Sequence, residues 1–276
     1  MAGAEAKEPM NRVFFGDCRD TMRYLKAQGV RVQCCVTSPP YFWQRDYGHP
    51  GQIGMEPTVS AYVQTMVDVA ACVRDLLADD GVFWLNLGDS YYSGNGKPTG
   101  EDPRSPSRNW SRRILRPLDA PGMGVPKKSL LGIPWLVAHA LQADGWTLRA
   151  EVIWHRKSAL AEQAKDRPHR QHEHLFLLSK ARRYYFNRDA LPEESVWNIP
   201  HERGVEGHSA AFPVELARRC IESGSRKGDT VLDPFFGSGT VGKTAQMFGR
   251  EWIGCELNPE YAPLQQARTA QACFAI

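Results

Sequence analysis

Residues Thr230-Val231-Leu232-Asp233-Pro234-Phe235-Phe236-Gly237-Ser238-Gly239-Thr240 constrain this chain more than any other stretch. A short apolar run ends on an acid, and a glycine turn then opens a helical pattern. Strand, turn and helix in that order form the unit of open α/β sheets, which bind ligands at the carboxyl ends of their strands. A second strand end is as unusual. The apolar run Val32–Val36 reads as a buried strand and leads into Thr37-Ser38-Pro39-Pro40-Tyr41. Two prolines fix φ at both positions and remove two N–H donors. What remains is the Ser38 hydroxyl, outward carbonyls and the face of Tyr41. That set can accept both hydrogens of an exocyclic amino group while stacking on the ring that bears it. Alone, the pentapeptide reads equally well as a proline-rich surface turn. Together, the two strand ends can face one crevice, one suited to a base and the other to a cofactor.

With both motifs in this order, the chain resembles the amino-directed DNA methyltransferases that use S-adenosylmethionine. More narrowly, it resembles their permuted class, in which the target-amine motif precedes the cofactor motif. The resemblance runs from about Phe14 to Tyr261. It implies an α/β fold: a Rossmann-like, circularly permuted methyltransferase sheet, carrying here a basic Pro/Gly-rich insert. It also implies that Ser38, Pro39, Pro40 and Tyr41 hold the target amine. Asp233, Phe235, Gly237, Gly239, Thr240, Glu256 and Asn258 would line the cofactor site, with Asp233 toward the methionine ammonium and Glu256 toward the ribose hydroxyls. Gly16-Asp17-Cys18 resembles a further cofactor motif, with Asp17 near the adenine amino group; a helix-capping acid is the alternative. His208, in His208–Pro213, resembles the segment that packs on the methionine moiety. Trp154–Lys157 with His172-Glu173 resembles the family's late sheet motif beside the target base, where His172 and Glu173 read as structural rather than catalytic. Members with Ser at the first motif position mostly methylate N4 of cytosine, and those with Asp mostly N6 of adenine. Ser38 therefore implies cytosine, with adenine as the alternative.

The glycine loop also fits two other patterns. Gly237–Gly242 contains G-x-G-x-x-G, and Gly237–Thr244 satisfies the phosphate-binding G-x-x-x-x-G-K-[ST]. A P-loop nucleotide hydrolase needs several strands beyond the loop, yet only 32 residues follow Thr244. Asp233 would repel a polyphosphate and attract an ammonium. A dinucleotide fold expects its ribose acid about 20 residues on, and Glu256 comes 14 residues after Gly242.

Composition adds limits. A 42% hydrophobic content supports one core, read as a single domain over 12–276 behind a loose tail, 1–11. The seven cysteines have no metal-type spacing, and His169, His172 and His174 lack suitable acid or Cys partners, so no metal is expected. None of the cysteines follows a proline, as the nucleophile of carbon-5 cytosine methyltransferases does. Met1–Glu8 has no apolar signal core and no apolar run approaches a membrane span, so a soluble, cytoplasmic protein is expected.

The net charge of +3 is modest, but its distribution is not. Residues 93–128 carry eight basic and three acidic side chains among six prolines and five glycines. This insert reads as unable to bury a core and as a mobile basic arm suited to phosphate contact. Arg112, Arg113, Lys127 and Lys128 within it, with Arg167 and Arg170 further on, are the candidate contacts to duplex DNA. A short specific site would be read by this insert, by 155–171 or by the irregular 181–207, the last being a candidate recognition segment. A partner restriction endonuclease fits this reading, as does a monomer or homodimer.

Overall fold

The structure is a computed structural model that describes residues 10–97, 115–156, 164–192, 194–200 and 212–272. Strand β1, Arg12–Phe15, leads into helix α1, Cys18–Ala27. Asp17 caps α1 by accepting from the Arg19 N–H at 2.8 Å, and Asp20 lies in the first turn. Cys18, Met22 and Leu25 recur at helical spacing and are buried. Every residue of β2, Val32–Thr37, is buried, as expected of a strand covered on both faces.

Helix α2, Val59–Leu76, is capped by Thr58, which accepts from the Ala61 N–H. It runs directly into β3, Leu77–Leu87. Then come α3, Ile133–Ala143, β4, Thr147–His155, and β5, His172–Ser179. β6, Val196–Asn198, precedes α4, Val214–Gly224, β7, Thr230–Asp233, and α5, Thr240–Met247. The last elements are β8, Glu251–Glu256, and α6, Ala262–Ala272.

Among the described residues the eight strands form one sheet in the order β1-β8-β7-β2-β3-β5-β4-β6. The first five are mutually parallel, β5 runs antiparallel to β3 and β4, and β6 is parallel to β4. Alternation along β2 feeds two cores. Cys35 faces Met22, Tyr62, Met66 and Leu141, from α1, α2 and α3. Cys34 and Val36 face Leu216, Cys220 and Val241, from α4 and α5. Helices thus cover both faces, and the sheet's upper edge, where the five parallel strands end, carries the loops.

Two sequence expectations change. The stretch 181–207 is not irregular throughout: β6 pairs Ile153 with Val196, and Trp197 is buried with its ring 5.9 Å from that of Trp84. The insert is anchored on its second flank. Leu118 joins the core, and the fully buried Asp119 accepts from the Ser93 hydroxyl at 2.6 Å and from Arg116 at 2.7 Å. Two neighbouring donors satisfy that acid, which is why a Pro/Gly-rich segment holds a fixed place there. The rest of the insert, 98–114 with Arg112 and Arg113, lies outside the described residues, as do 1–9, 201–207 and His208.

Candidate active site

The site follows the strand order. Asp17, Glu256, Asp233 and Ser38 stand at or just past the carboxyl ends of β1, β8, β7 and β2, four neighbours in the sheet. The hydroxyl of Thr37 donates to Asp233 Oδ1 at 2.6 Å, which ties the proline loop directly to the glycine-turn strand. The Phe235 N–H donates to the same oxygen at 3.0 Å. Burial, and to a smaller degree the charge of Glu256, push the Asp233 carboxyl up to about 7, although Thr37 and Phe235 pull the other way. A carboxylate held this way gains by meeting a cation.

Glu256 faces the glycine turn. Its Oε2 accepts from the Gly237 N–H and its Oε1 from the Asn258 N–H, both at 2.8 Å. Burial raises its carboxyl above the usual range. The Asn258 side chain caps the turn at Pro259–Tyr261 through the Glu260 N–H. Asp17 is committed to Arg19, which holds its carboxyl below the usual range. Its capping role is thus present beside any cofactor role.

The geometry overturns the phosphate readings of the glycine loop. The Gly237 N–H points to a carboxylate, and the Gly239 N–H donates to the Phe236 carbonyl at 2.8 Å. The Thr244 hydroxyl is buried and donates to the Thr240 carbonyl, so it is not placed for a metal-bound phosphate. Gly242 serves packing: a Cβ there would sit 2.6 Å from the Phe236 ring, itself stacked on Trp252. Gly239 has φ +85° and opens α5, while the Thr240 and Ser238 hydroxyls accept from Arg268.

The proline loop is held as tightly. Tyr62 donates to the Pro40 carbonyl at 3.0 Å, whereas the Pro39 carbonyl takes no hydrogen bond among the described residues. The Tyr41 ring lies against the end of β3, where a Cβ on Gly88 would come within 2.5 Å of it. Its hydroxyl donates to Glu173 Oε2 at 2.6 Å and contacts Ser38 Oγ at 3.1 Å. Asn86, 1% exposed inside the apolar run of β3, donates to Tyr41 at 2.6 Å and to Glu173 at 2.8 Å. Arg156 completes the group with a 3.0 Å bond to Glu173 Oε1. Sequence reasoning missed Asn86, Gly88 and the Thr37 hydroxyl, and it read Glu173 as structural. One signal was available: a lone amide in a buried strand demands partners.

Of the basic residues, Lys128 pairs with Asp166 at 2.6 Å. Arg167 stacks its guanidinium 3.7 Å from the Tyr91 ring centre, and Arg170 lies 6.0 Å from it. Arg170 Nε and Nη1 are buried with no partner among the described residues. Lys127 is exposed next to this cluster in sequence. Elsewhere, His174 pairs with Glu151, and no His, Cys, Asp and Glu group among the described residues is arranged to hold a metal. No described helix is long and apolar enough to cross a membrane.

A mixed sheet whose five parallel strands carry acids at adjacent carboxyl ends, beside the Ser-Pro-Pro-Tyr loop, has the Rossmann-like α/β architecture. Comparison with known proteins narrows the class. Residues 32–267 match the family model for DNA methylase, the N6/N4 methyltransferases. The type II methyltransferase M.SmaI of Serratia marcescens is 42% identical over 269 residues, covering 93% of this chain and 90% of that protein. M.Cfr9I of Citrobacter freundii is 43% identical over 262 residues, covering 91% and 85%. The cytosine-N4-specific PvuII DNA methyltransferase shares the fold, with a TM-score of 0.69 at 19% identity over 97% of this chain and 91% of its own. M1.HpyAVI, solved with S-adenosylmethionine, shares it with a TM-score of 0.59 at 16% identity, covering 94% and 98%. The chain belongs to the N6/N4 DNA methylase family and is an amino-directed DNA methyltransferase.

Proposed function

We propose that this enzyme transfers a methyl group from S-adenosylmethionine to N4 of a cytosine flipped out of duplex DNA at a short specific site. The observation that carries this reading is the Thr37–Asp233 hydrogen bond, which puts the amine-accepting loop beside the acid best suited to a ligand's ammonium. The residues fit the cofactor. Burial raises Asp233 to about 7, Glu256 stands on the next strand, and the glycine turn lies between them. Bound there, S-adenosylmethionine supplies a methyl group on a cationic sulfur. The M.SmaI and M.Cfr9I relatives are named type II methyltransferases, which supports a site-specific enzyme accompanied by a restriction endonuclease.

The exocyclic nitrogen is a poor nucleophile because its lone pair is shared with the ring. Flipping the nucleotide costs a few kcal/mol, and stacking on Tyr41 returns roughly 1–3 kcal/mol. Ser38 Oγ and the Pro39 carbonyl accept the two amino hydrogens, so the nitrogen turns pyramidal and its lone pair points away from the ring. Catalysis is then largely positioning. Incubation with duplex DNA and labelled cofactor should yield N4-methylcytosine on mass analysis of the nucleosides. N6-methyladenine as the sole product would defeat the base assignment.

Arg167 and Arg170 beside Tyr91, with Lys128, form the DNA face in this reading, and Lys127, Arg112 and Arg113 are its further candidate contacts. Replacing both Arg167 and Arg170 with alanine should weaken DNA binding without affecting cofactor binding. The slope of log affinity against log salt should become shallower by about 0.9 for each phosphate no longer neutralised. An unchanged slope would move the DNA contacts to other segments.

A further inference from the structure

We infer that Glu173, acting through Tyr41, fixes the Ser38 hydroxyl as an acceptor only, and thereby makes the base pocket select an amino group over a carbonyl; this rests on the cytosine reading above. A carboxylate only accepts, and Glu173 takes Arg156 on Oε1 and both Tyr41 and Asn86 on Oε2. The orientation of the Asn86 amide is set by that carboxylate, because an amide oxygen 2.8 Å from it would face like charge. Asn86 therefore spends its two hydrogens on Glu173 and on the Tyr41 oxygen at 2.6 Å. Its own carbonyl oxygen is buried with no partner among the described residues, a cost the site bears to keep a donor in this place.

Tyr41 has one hydrogen, and it goes to Glu173. Burial, then the Glu173 charge, raise the phenol well above its ordinary value, so it keeps that hydrogen. The 3.1 Å contact between Ser38 and Tyr41 must then carry the hydrogen of Ser38. Asn86 also lies 3.4 Å from Ser38, but its hydrogens are already placed in shorter bonds. Both lone pairs of Ser38 are left to face the base. An amino group meets them as a donor. The carbonyl at the same place on uracil would present lone pair to lone pair. Glu173 is 8% exposed and acts through Tyr41 and Ser38, so it is a positioning residue.

The test uses the full chain with S-adenosylhomocysteine in the cofactor site. Affinity is measured for duplexes bearing the mapped methylation site with either cytosine or uracil at the target. Comparing wild type with variant cancels the easier flipping of a mismatched base. Wild type should favour cytosine by about 10- to 100-fold, the usual penalty for an unmatched polar group. Glu173→Gln can donate to Tyr41 and reverse the chain, so this preference should fall at least about tenfold. Its kcat should drop with the KM for S-adenosylmethionine unchanged. In a Ser38→Ala background, Glu173→Gln should change neither quantity further. A wild-type preference retained by Glu173→Gln, or an equal further loss in the Ser38→Ala background, overturns the inference. Should Glu173→Gln fail to fold by thermal melting, Tyr41→Phe decides: it frees the Ser38 hydrogen and should lose the same preference, and retention overturns the inference. Failure of the cytosine reading shows separately, as methylated adenine from wild type. Adenine and hypoxanthine then replace cytosine and uracil, and the same variants decide.

Discussion

Replacing Ser38 with alanine should lower single-turnover methyl transfer by roughly 10²-fold or more, while S-adenosylmethionine affinity stays within about twofold. The target nitrogen reacts only when its lone pair leaves the ring, and that requires both amino hydrogens to be held out of plane. Ser38 Oγ is one of two acceptors proposed for this, the other being the Pro39 carbonyl. Removing it leaves the amine anchored at one hydrogen and free to turn back into conjugation. Misplacement on the scale of an ångström costs about 100-fold in a reaction that depends on positioning. Cofactor affinity is spared because the link to the cofactor acid is Thr37, not Ser38. Rapid-quench measurement with preformed ternary complex gives the rate, and titration calorimetry gives the affinity. A rate near wild type would remove Ser38 from the amine site. A parallel loss of cofactor affinity would show that the loop had collapsed and would make the rate uninformative about Ser38.

The division between what could and could not be read from the chain follows the range of the interactions. Val32–Thr37 and Thr230–Asp233 are unbroken apolar runs closed by turn-forming residues, and such runs declare themselves locally. Helix α2 does so through its periodic burial from Tyr62 to Leu76. By contrast, β3 begins at Leu77 although Ala78-Asp79-Asp80-Gly81 reads as a turn, and Leu77 is paired with Val32. The three residues of β6 are a strand only because the edge of β4 is there to pair with them. The anchoring of the insert's flanks at Ser93 and 115–119 is hidden for the same reason. Composition sees its prolines and charges, but not that Ser93 and Arg116 close on Asp119. The site divides in the same way. The Ser-Pro-Pro-Tyr loop and the acids at strand ends are local words. The network that orients Ser38 draws on positions 38, 41, 86, 156 and 173, from the loop after β2, from β3, from the end of β4 and from β5, and no spacing rule links them.

Replacing Asp233 with asparagine should weaken S-adenosylmethionine binding by about 10- to 150-fold at pH 8, the loss of one charge-assisted hydrogen bond of about 1.5–3 kcal/mol. Asparagine retains an oxygen able to accept from Thr37 and from the Phe235 N–H, so the local fold should survive. What it removes is the charge. The pH dependence makes the prediction sharper. Without ligand the Asp233 carboxyl is raised to about 7, chiefly by burial, against an ordinary value near 4. Below 7 it is mostly neutral and offers an ammonium only a dipole. As pH rises through 7 it ionises, so wild-type affinity should climb by up to about tenfold per unit below 7 and level off above it. The substituted amide cannot ionise, so that component should vanish. Glu256, raised by burial as well, remains in both proteins and keeps a smaller pH dependence in each. Folding stability without cofactor should show the opposite sign. A carboxyl that binds its proton more tightly when folded than unfolded stabilises the fold at low pH, and this contribution is lost as pH rises from about 4 to 7. Asp233→Asn should therefore lack this fall in stability across that window while losing the rise in cofactor affinity. Calorimetry and thermal melts at pH 5.5, 6.5, 7.5 and 8.5 separate the two effects. Equal pH profiles for cofactor affinity in wild type and variant would place the methionine ammonium away from Asp233.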